Sequence, residues 1–294
     1  MPQIQTMSQD AHVNVKAAIA KAVMDLSPLA GKDFTIETLL PIFLQQLRDD
    51  STEVRLNIIG NLSSVDSVIG MEQLAESLLP AILELAGDNK WRVRLAIVSH
   101  IPLLADQLGK EVFEEKLSEL ALELLTDKVY AIREAACENI RRLVRIFEID
   151  WVKRKLLPKL NSLVKDENYL RRMTCLFTIK SILEKKESLG NFNSDEAKEN
   201  HKTNIDQEKL DNQNRNIKVN SDLHKKLIEN LLPLIVQLHT DKIPNVRFNV
   251  AICLEILREK TDKIKSILET MAEDTDSDVK YYSVRAQKSL GFIQ

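Results

Sequence analysis

The residues able to do chemistry in this chain are 5 histidines, 3 cysteines and 44 carboxylates among 294 residues. Covalent or metal chemistry needs such groups clustered: a nucleophile beside a base, or several ligands at turn or helix spacing. His12, His100, His201, His224 and His239 share no such spacing with a cysteine or a carboxylate. Cys137, Cys175 and Cys253 stand far apart, with no CxxC pair. No GxSxG, phosphate-binding loop or HExxH occurs. The expectation is a protein that is not an enzyme and holds neither metal nor cofactor. What recurs at regular spacing is a column of aspartates, a column of arginines and a short column of aromatics. That is the chemistry of recognition, with ion pairs that fix geometry and rings that bury against a partner.

The aspartates stand at 10, 49, 88, 127 and 166, in steps of 39 residues, and the series resumes at Asp241 and Asp274. Six residues after each comes a cation: Lys16, Arg55, Arg94, Arg133, Arg172, Arg247 and Lys280. The residue before the cation is Val15, Val54, Val93, Ile132, Val246 or Val279, and Arg171 breaks this column. A second landmark, Leu-Leu-Pro, keeps the same register at Pro41, Pro80, Pro158 and Pro233. Two landmarks in phase make an internal repeat.

The local pattern explains the unit. Before one aspartate run Leu74, Leu78, Leu79, Ile82 and Leu83; after it run Val93, Ala96, Ile97, Ile101 and Leu104. Both series have helical spacing. Each aspartate therefore sits in a short turn between two antiparallel helices, A and B, where its carboxylate suits the free N–H groups at the start of helix B. Stacked repeats bring the two columns side by side as a ladder of ion pairs, the column Asp49, Asp88, Asp127, Asp166 and Asp241 beside the column Arg55, Arg94, Arg133, Arg172 and Arg247. As exposed pairs these would each contribute only ~0–1 kcal/mol, so the ladder is expected to set register while apolar helix faces supply stability. The prolines fall inside helix A and should kink it without ending it. Two helices, a 39-residue period and a D-x-x-x-x-V-R turn resemble the HEAT repeat. The expected fold class is all-α, an α-α superhelix or HEAT-repeat solenoid, with about seven repeats starting near residues 1, 34, 71, 111, 150, 221 and 261.

Composition agrees. Hydrophobics are 44%, aromatics 5% and glycines only 7, which suits strings of amphipathic helices better than sheets. The net charge of −3 gives no bulk attraction to nucleic acid or anionic membrane, and no apolar run approaches spanning length. A cytoplasmic or nuclear protein is expected. From Asp166 to Asp241 is 75 residues, and the surplus at 186–221 is rich in Asn, Lys, Asp and Glu without apolar period. It is expected to be a disordered insertion, dividing the chain into repeats 1–5 over residues 1–185 and repeats 6–7 over 222–294. From Asp241 to Asp274 is only 33 residues, so the sixth helix B or its following loop should be short.

The residue three past each aspartate reads Val13, Thr52, Trp91, Tyr130, Tyr169, Pro244, Ser277. HEAT turns are ordinarily small or polar there, and three consecutive repeats carry a large aromatic. Aligned turns would place these rings along one edge, as a protein-binding strip. Arg92 beside Trp91, and Leu170 with Arg171 beside Tyr169, extend it. Arg171 stands where the other repeats put Val or Ile, which packing alone does not explain. Rings tucked over helix ends as local core would argue instead for a HEAT adaptor of another kind, in nuclear transport or trafficking.

Segments 27–62, 88–109 (DNKWRVRLAIVSHIPLLADQLG), 127–144 (DKVYAIREAACENIRRLV), 166–179 (DENYLRRMTCLFTI), 244–251 (PNVRFNVA) and 277–282 (SDVKYY) closely resemble the scaffold subunits of type 2A protein phosphatase. In that family fifteen HEAT repeats carry the catalytic subunit on the turns of the last five and regulatory subunits on earlier ones. By resemblance this chain is like the last seven repeats, with Trp91 in the first of the five. The resemblance implies that the partner is a serine/threonine phosphatase catalytic subunit, contacted by Trp91, Arg92, Tyr130, Tyr169, Leu170, Asn245, Lys280 and Tyr281. A regulatory subunit is the family's other partner, and its N-terminal repeats have no counterpart among those matched.

Overall fold

The computed structural model describes residues 2–62, 68–70, 74–184 and 225–294. Every regular element among them is helical. The insertion expected at 186–221 lies outside the described residues. The chain is an all-α HEAT-repeat solenoid of helix A–turn–helix B units, and it divides into two compact halves, Met1–Ile146 and Phe147–Gln294.

In the first half, helix B of the first repeat (Val13–Ala30) packs on that of the second (Thr52–Gly60), which packs on that of the third (Trp91–Lys116). In the second half, Tyr169–Leu183 packs on Pro244–Leu257, and that helix on Ser277–Leu290. Helices A pack behind them: Leu40–Leu47 on the second helix B, Leu79–Ala86 on the third, Leu157–Val164 on the fifth and Asp262–Ala272 on the seventh. The fifth and sixth repeats are thus direct neighbours in one compact half, and the 186–221 insertion interrupts the sequence but not the stacking. Helices B bury the residue before the ladder cation: Val54, Val93, Ile132, Val246 and Val279 are fully buried. Val15, in the first repeat, is only half-buried, and Arg171 is exposed.

The prolines do not end helix A. Pro41, Pro80 and Pro158 each stand at the second residue of an α-helical run that follows directly on a π-helical turn, Thr35–Leu39, Leu74–Leu78 or Val152–Leu156. Proline has no N–H to offer and its ring crowds the carbonyl one turn back; a widened turn accommodates both. Pro233 lies in a helix spanning 225–237 with no such turn. The shortened step after Asp241 was expected in the sixth helix B or its loop. The sixth helix B is indeed short, with 14 residues against 18 in Val13–Ala30, and the helix A that follows is short as well. Asp262–Ala272 has 11 residues and no proline turn, where the second repeat's helix A extends over 32–47.

A second inter-repeat ladder, not legible as a column of one residue type, runs through helices B. His100 Nε2 donates to the Ile59 carbonyl at 2.5 Å, Asn139 Nδ2 donates to the Val98 carbonyl, and Cys253 Sγ donates to the Leu176 carbonyl at 3.5 Å. Each donor lies twelve residues past its aspartate, and each acceptor ten past the preceding one. Burial pushes the His100 pKa down and the Cys253 thiol up to about 12, so both serve as neutral donors. Because the folded pKa of His100 is depressed, the unfolded chain takes up the proton first. Stability should fall as pH drops below the ordinary histidine pKa of ~6.5 toward the folded value. His100→Asn keeps the donor, as Asn139 shows, and removes the titration. Urea unfolding midpoints between pH 7 and 5 should decline less in this variant than in the wild-type chain.

Candidate protein-binding edge

Each inter-helix turn is built the same way. The aspartate Oδ1 accepts the N–H two residues on: His12 at 2.7 Å, Ser51 at 2.8 Å, Lys90 at 2.6 Å, Val129 at 2.7 Å, Asn168 at 2.8 Å, Ile243 at 2.9 Å and Asp276 at 2.9 Å. The carboxylate therefore closes an Asx turn on the residue just before helix B, one position earlier than the helix N–H groups expected from the sequence. The ladder arginine then reaches back, and its Nη1 donates to the carbonyl of its own repeat's aspartate. Those distances are 2.5 Å for Arg55, 2.7 Å for Arg94, 2.8 Å for Arg133, 2.8 Å for Arg172 and 2.7 Å for Arg247.

The other edge of the guanidinium meets the next repeat's carboxylate. Arg94 donates through Nε and Nη2 to Asp127, both at 3.0 Å; Arg172 to Asp241 at 2.5 and 2.9 Å; Arg247 to Asp274 at 2.7 Å twice. Lys16 meets Asp49 at 2.6 Å and Arg55 meets Asp88 at 3.3 Å. These side chains retain only 7–17% of their exposure, so they are not the surface pairs expected from the sequence. Removing one partner would strand a largely desolvated charge. The hydrogen bond to Arg247 holds the Asp274 carboxyl below the usual range, and the same bond raises Arg247.

The residue three past each aspartate opens helix B. A side chain on the first helical residue leans toward the N-terminus, where no earlier turn covers it. Trp91, Tyr130 and Tyr169 accordingly keep 36, 53 and 39% exposure, with Leu170 at 40% and Tyr281 at 63%. Arg92, Asn245 and Lys280 are exposed as well. In the first half, Arg94 staples the Trp91 turn to the Tyr130 turn. In the second, Arg172 staples the Tyr169 turn to the Asn245 turn, and Arg247 staples that to the turn preceding Lys280 and Tyr281. The rings are supported from beneath or beside. The Arg92 guanidinium lies 4.7 Å over the Trp91 ring and that of Arg133 5.7 Å from the centre of Tyr130. Partial desolvation, then the neighbouring Glu134, raises the Tyr130 pKa, so its hydroxyl stays protonated.

Arg171 has a structural partner after all. It bonds Asp166 of its own turn at 2.9 Å. Desolvation works upward on Asp166 and is outweighed by the Arg171 hydrogen bond, the Asn168 N–H and the charges of Arg171 and Arg172, leaving the carboxyl below its ordinary range. Residues that sequence reasoning missed lie one to two turns deeper. Tyr282 meets Tyr281 edge-on at 5.2 Å, stacks on Phe248 at 5.3 Å, and carries Arg285 over its face at 4.7 Å. The adjacent Tyr281-Tyr282 pair was the available signal.

No group of histidine, cysteine and carboxylate side chains able to hold a metal occurs among the described residues, and no described helix is long and apolar enough to cross a membrane.

Comparison with known proteins gives the same architecture. The HEAT-repeat family model matches residues 117–147. The beta isoform of the human 65 kDa regulatory subunit of serine/threonine-protein phosphatase 2A is 48% identical over 68 residues, 23% of this chain and 11% of the relative. The mouse protein of that name is 52% identical over 62 residues, 21% of this chain and 10% of its own length. The matched segments thus span about a tenth of the relatives' length. A chain in a solved structure of Kap95p with RanGDP has the same fold, with a TM-score of 0.58 at 13% identity over 98% of this chain and 35% of that one. The chain is a HEAT-repeat protein similar to the 65 kDa regulatory subunit of phosphatase 2A.

Two outcomes follow from the turn chemistry. Arg171→Val, which restores the aliphatic column, should raise the Asp166 pKa toward the ordinary carboxylate value in a carbon-detected titration. It should change stability by no more than ~1 kcal/mol, as for other exposed pairs. Asp274 has a depressed folded pKa, so its contribution is complete above the unfolded value of ~3.9 and is lost as pH falls through the folded one. Asp274→Asn should cost ~2 kcal/mol at pH 7, and the gap in urea midpoint to the wild-type chain should narrow as pH falls below the ordinary carboxylate value toward the folded one.

Proposed function

We propose that this chain is a non-catalytic scaffold whose inter-helix turns hold the catalytic subunit of a type 2A serine/threonine phosphatase. The observation that carries the reading is the exposed aromatics at the first residue of helix B in each half, Trp91 and Tyr130 in the first and Tyr169 in the second, on turns that the arginine staples fix within each half. A large ring held at low conformational cost is an efficient interface anchor. The similarity to the 65 kDa regulatory subunit of phosphatase 2A supports the choice of partner, with a second regulatory protein of the same enzyme as the further one. Trp91, Arg92, Tyr130, Tyr169, Leu170, Arg171, Asn245, Lys280 and Tyr281 form the contact set, with Arg171 acting through its hold on Asp166. The mechanism is positional: enzyme fixed on one stretch of the array meets whatever else the array binds at raised effective concentration. Three buried free cysteines fit a reducing cytoplasmic or nuclear setting.

Trp91→Ala and Tyr169→Ala should each weaken binding of the purified catalytic subunit by ~2 kcal/mol or more, with little change in melting temperature. Ile97→Ala, at a fully buried position, is the control and should destabilise by ~2–5 kcal/mol. If Trp91→Ala lowers the melting temperature as much as Ile97→Ala and leaves affinity intact, the ring is structural and the edge reading is abandoned there.

A further inference from the structure

Beyond the turns, the second half carries a hollow that the edge residues do not use. The C-terminal ends of helices B of the fifth, sixth and seventh repeats surround a space of about 670 Å³. Leu183, Ile252 and Ile256 make its apolar floor. Four of its charged walls are neutralised in pairs, Lys180 with Glu184 at 3.6 Å and Arg285 with Glu255 at 2.6 Å. Arg258 and Glu259 also line it, and among the described residues neither side chain has an ion-pair or hydrogen-bond partner. One free donor group and one free acceptor group side by side, above an apolar floor, suit a peptide main chain better than a simple ion.

The backbone at Arg258 points the same way. It is left-handed, with φ of 58°, the one non-glycine residue with positive φ among those described. Where the seventh helix B ends, the same left-handed position is glycine, Gly291. A side chain is strained there, and strain of this kind is retained where the side chain is needed. The hollow is also continuous with the edge. Tyr281 touches Tyr282, Tyr282 carries Arg285, and Arg285 holds Glu255 at the wall.

We propose that this hollow is a second seat for the partner gripped by the turns. It takes an extended segment of that partner, with one large apolar side chain on the Leu183–Ile252–Ile256 floor and its main chain against Arg258 and Glu259. The inference rests on the turn-edge reading and extends it from the edge onto the faces of helices B.

The full chain and its Ile256→Asp, Arg258→Gly and Trp91→Ala variants are titrated with the phosphatase catalytic subunit, and each is melted alone. Ile256→Asp should weaken binding roughly tenfold. Arg258→Gly should raise the melting temperature by roughly 1–2 °C, through relief of the left-handed side chain, and still weaken binding about threefold. Wild-type affinity in both variants, with affinity lost in Trp91→Ala, would overturn the second seat and leave the edge standing. Failure of the wild-type chain to bind the phosphatase would remove the edge reading itself. The same series is run in a chain lacking residues 186–221. If the two hollow variants weaken binding only when that segment is present, the hollow seats the chain's own insertion and the proposal falls.

Discussion

The structure depends on an arginine that faces two ways. One nitrogen of its guanidinium reads the carbonyl of its own turn, and the opposite edge reads the carboxylate of the next. Lysine cannot make this planar double contact, and the one Lys16 rung is correspondingly a point contact on Asp49. The aspartate is equally bifunctional, since the same carboxylate that receives the arginine also closes its own Asx turn. A rung therefore couples three things at once: the shape of one turn, the shape of the next and the step between them. Removing most water from these pairs raises the cost of leaving any member unpaired, which makes misregistered stacking expensive. Apolar burial drives the stacking, and the ladder decides which stacking.

That division of labour frees the edge. The residue three past the aspartate lies outside the core by the geometry of a helix start, and its backbone is held by bonds that involve no side chain of its own. Such a position can change from Thr52 to Trp91 to Pro244 without disturbing the turn. Binding residues can be swapped there at little cost to the fold, while the ring itself is held in a defined place. The support of Trp91 by Arg92 and of Tyr130 by Arg133 adds rigidity where an interface benefits from it.

Much of this was legible in the sequence, for a definite reason. The repeat, the turn, the partners in the ladder and the aromatic column are all set by residue type at fixed spacing. What was not legible depended on burial or on backbone detail. The rungs looked exposed because charge suggests solvent, and only stacking shows that Arg94 and Asp127 are largely covered. Arg171 looked unexplained because its partner, Asp166, already had a role in the pattern. The helix-B ladder escaped because His100, Asn139 and Cys253 are chemically unlike and share only their position and a carbonyl acceptor. The π-helical turns escaped because proline announces a fault in the helix without saying how the backbone absorbs it. Arg258 showed no sequence signal beyond the absence of a glycine.

The irregular steps show what the array holds constant. The separation between a rung's cation and its aspartate is 33 residues at Lys16–Asp49, Arg55–Asp88 and Arg94–Asp127, 69 at Arg172–Asp241 and 27 at Arg247–Asp274. The bidentate contact survives the longest and the shortest of these. The stretch whose length varies lies, in sequence, between one helix B and the helix A that follows it. Loop-closure cost grows slowly with length, and an added 36 residues costs of order ~1 kcal/mol. The missing residues are absorbed by a shorter helix B, Pro244–Leu257, and a shorter helix A, Asp262–Ala272. Changes of length are thus confined to the stretch between one turn and the next, and the turn edge keeps its local geometry through all of them. An array built this way can acquire insertions or strained corners such as Arg258 at the far ends of helices B, and still present each turn to a partner in the same form.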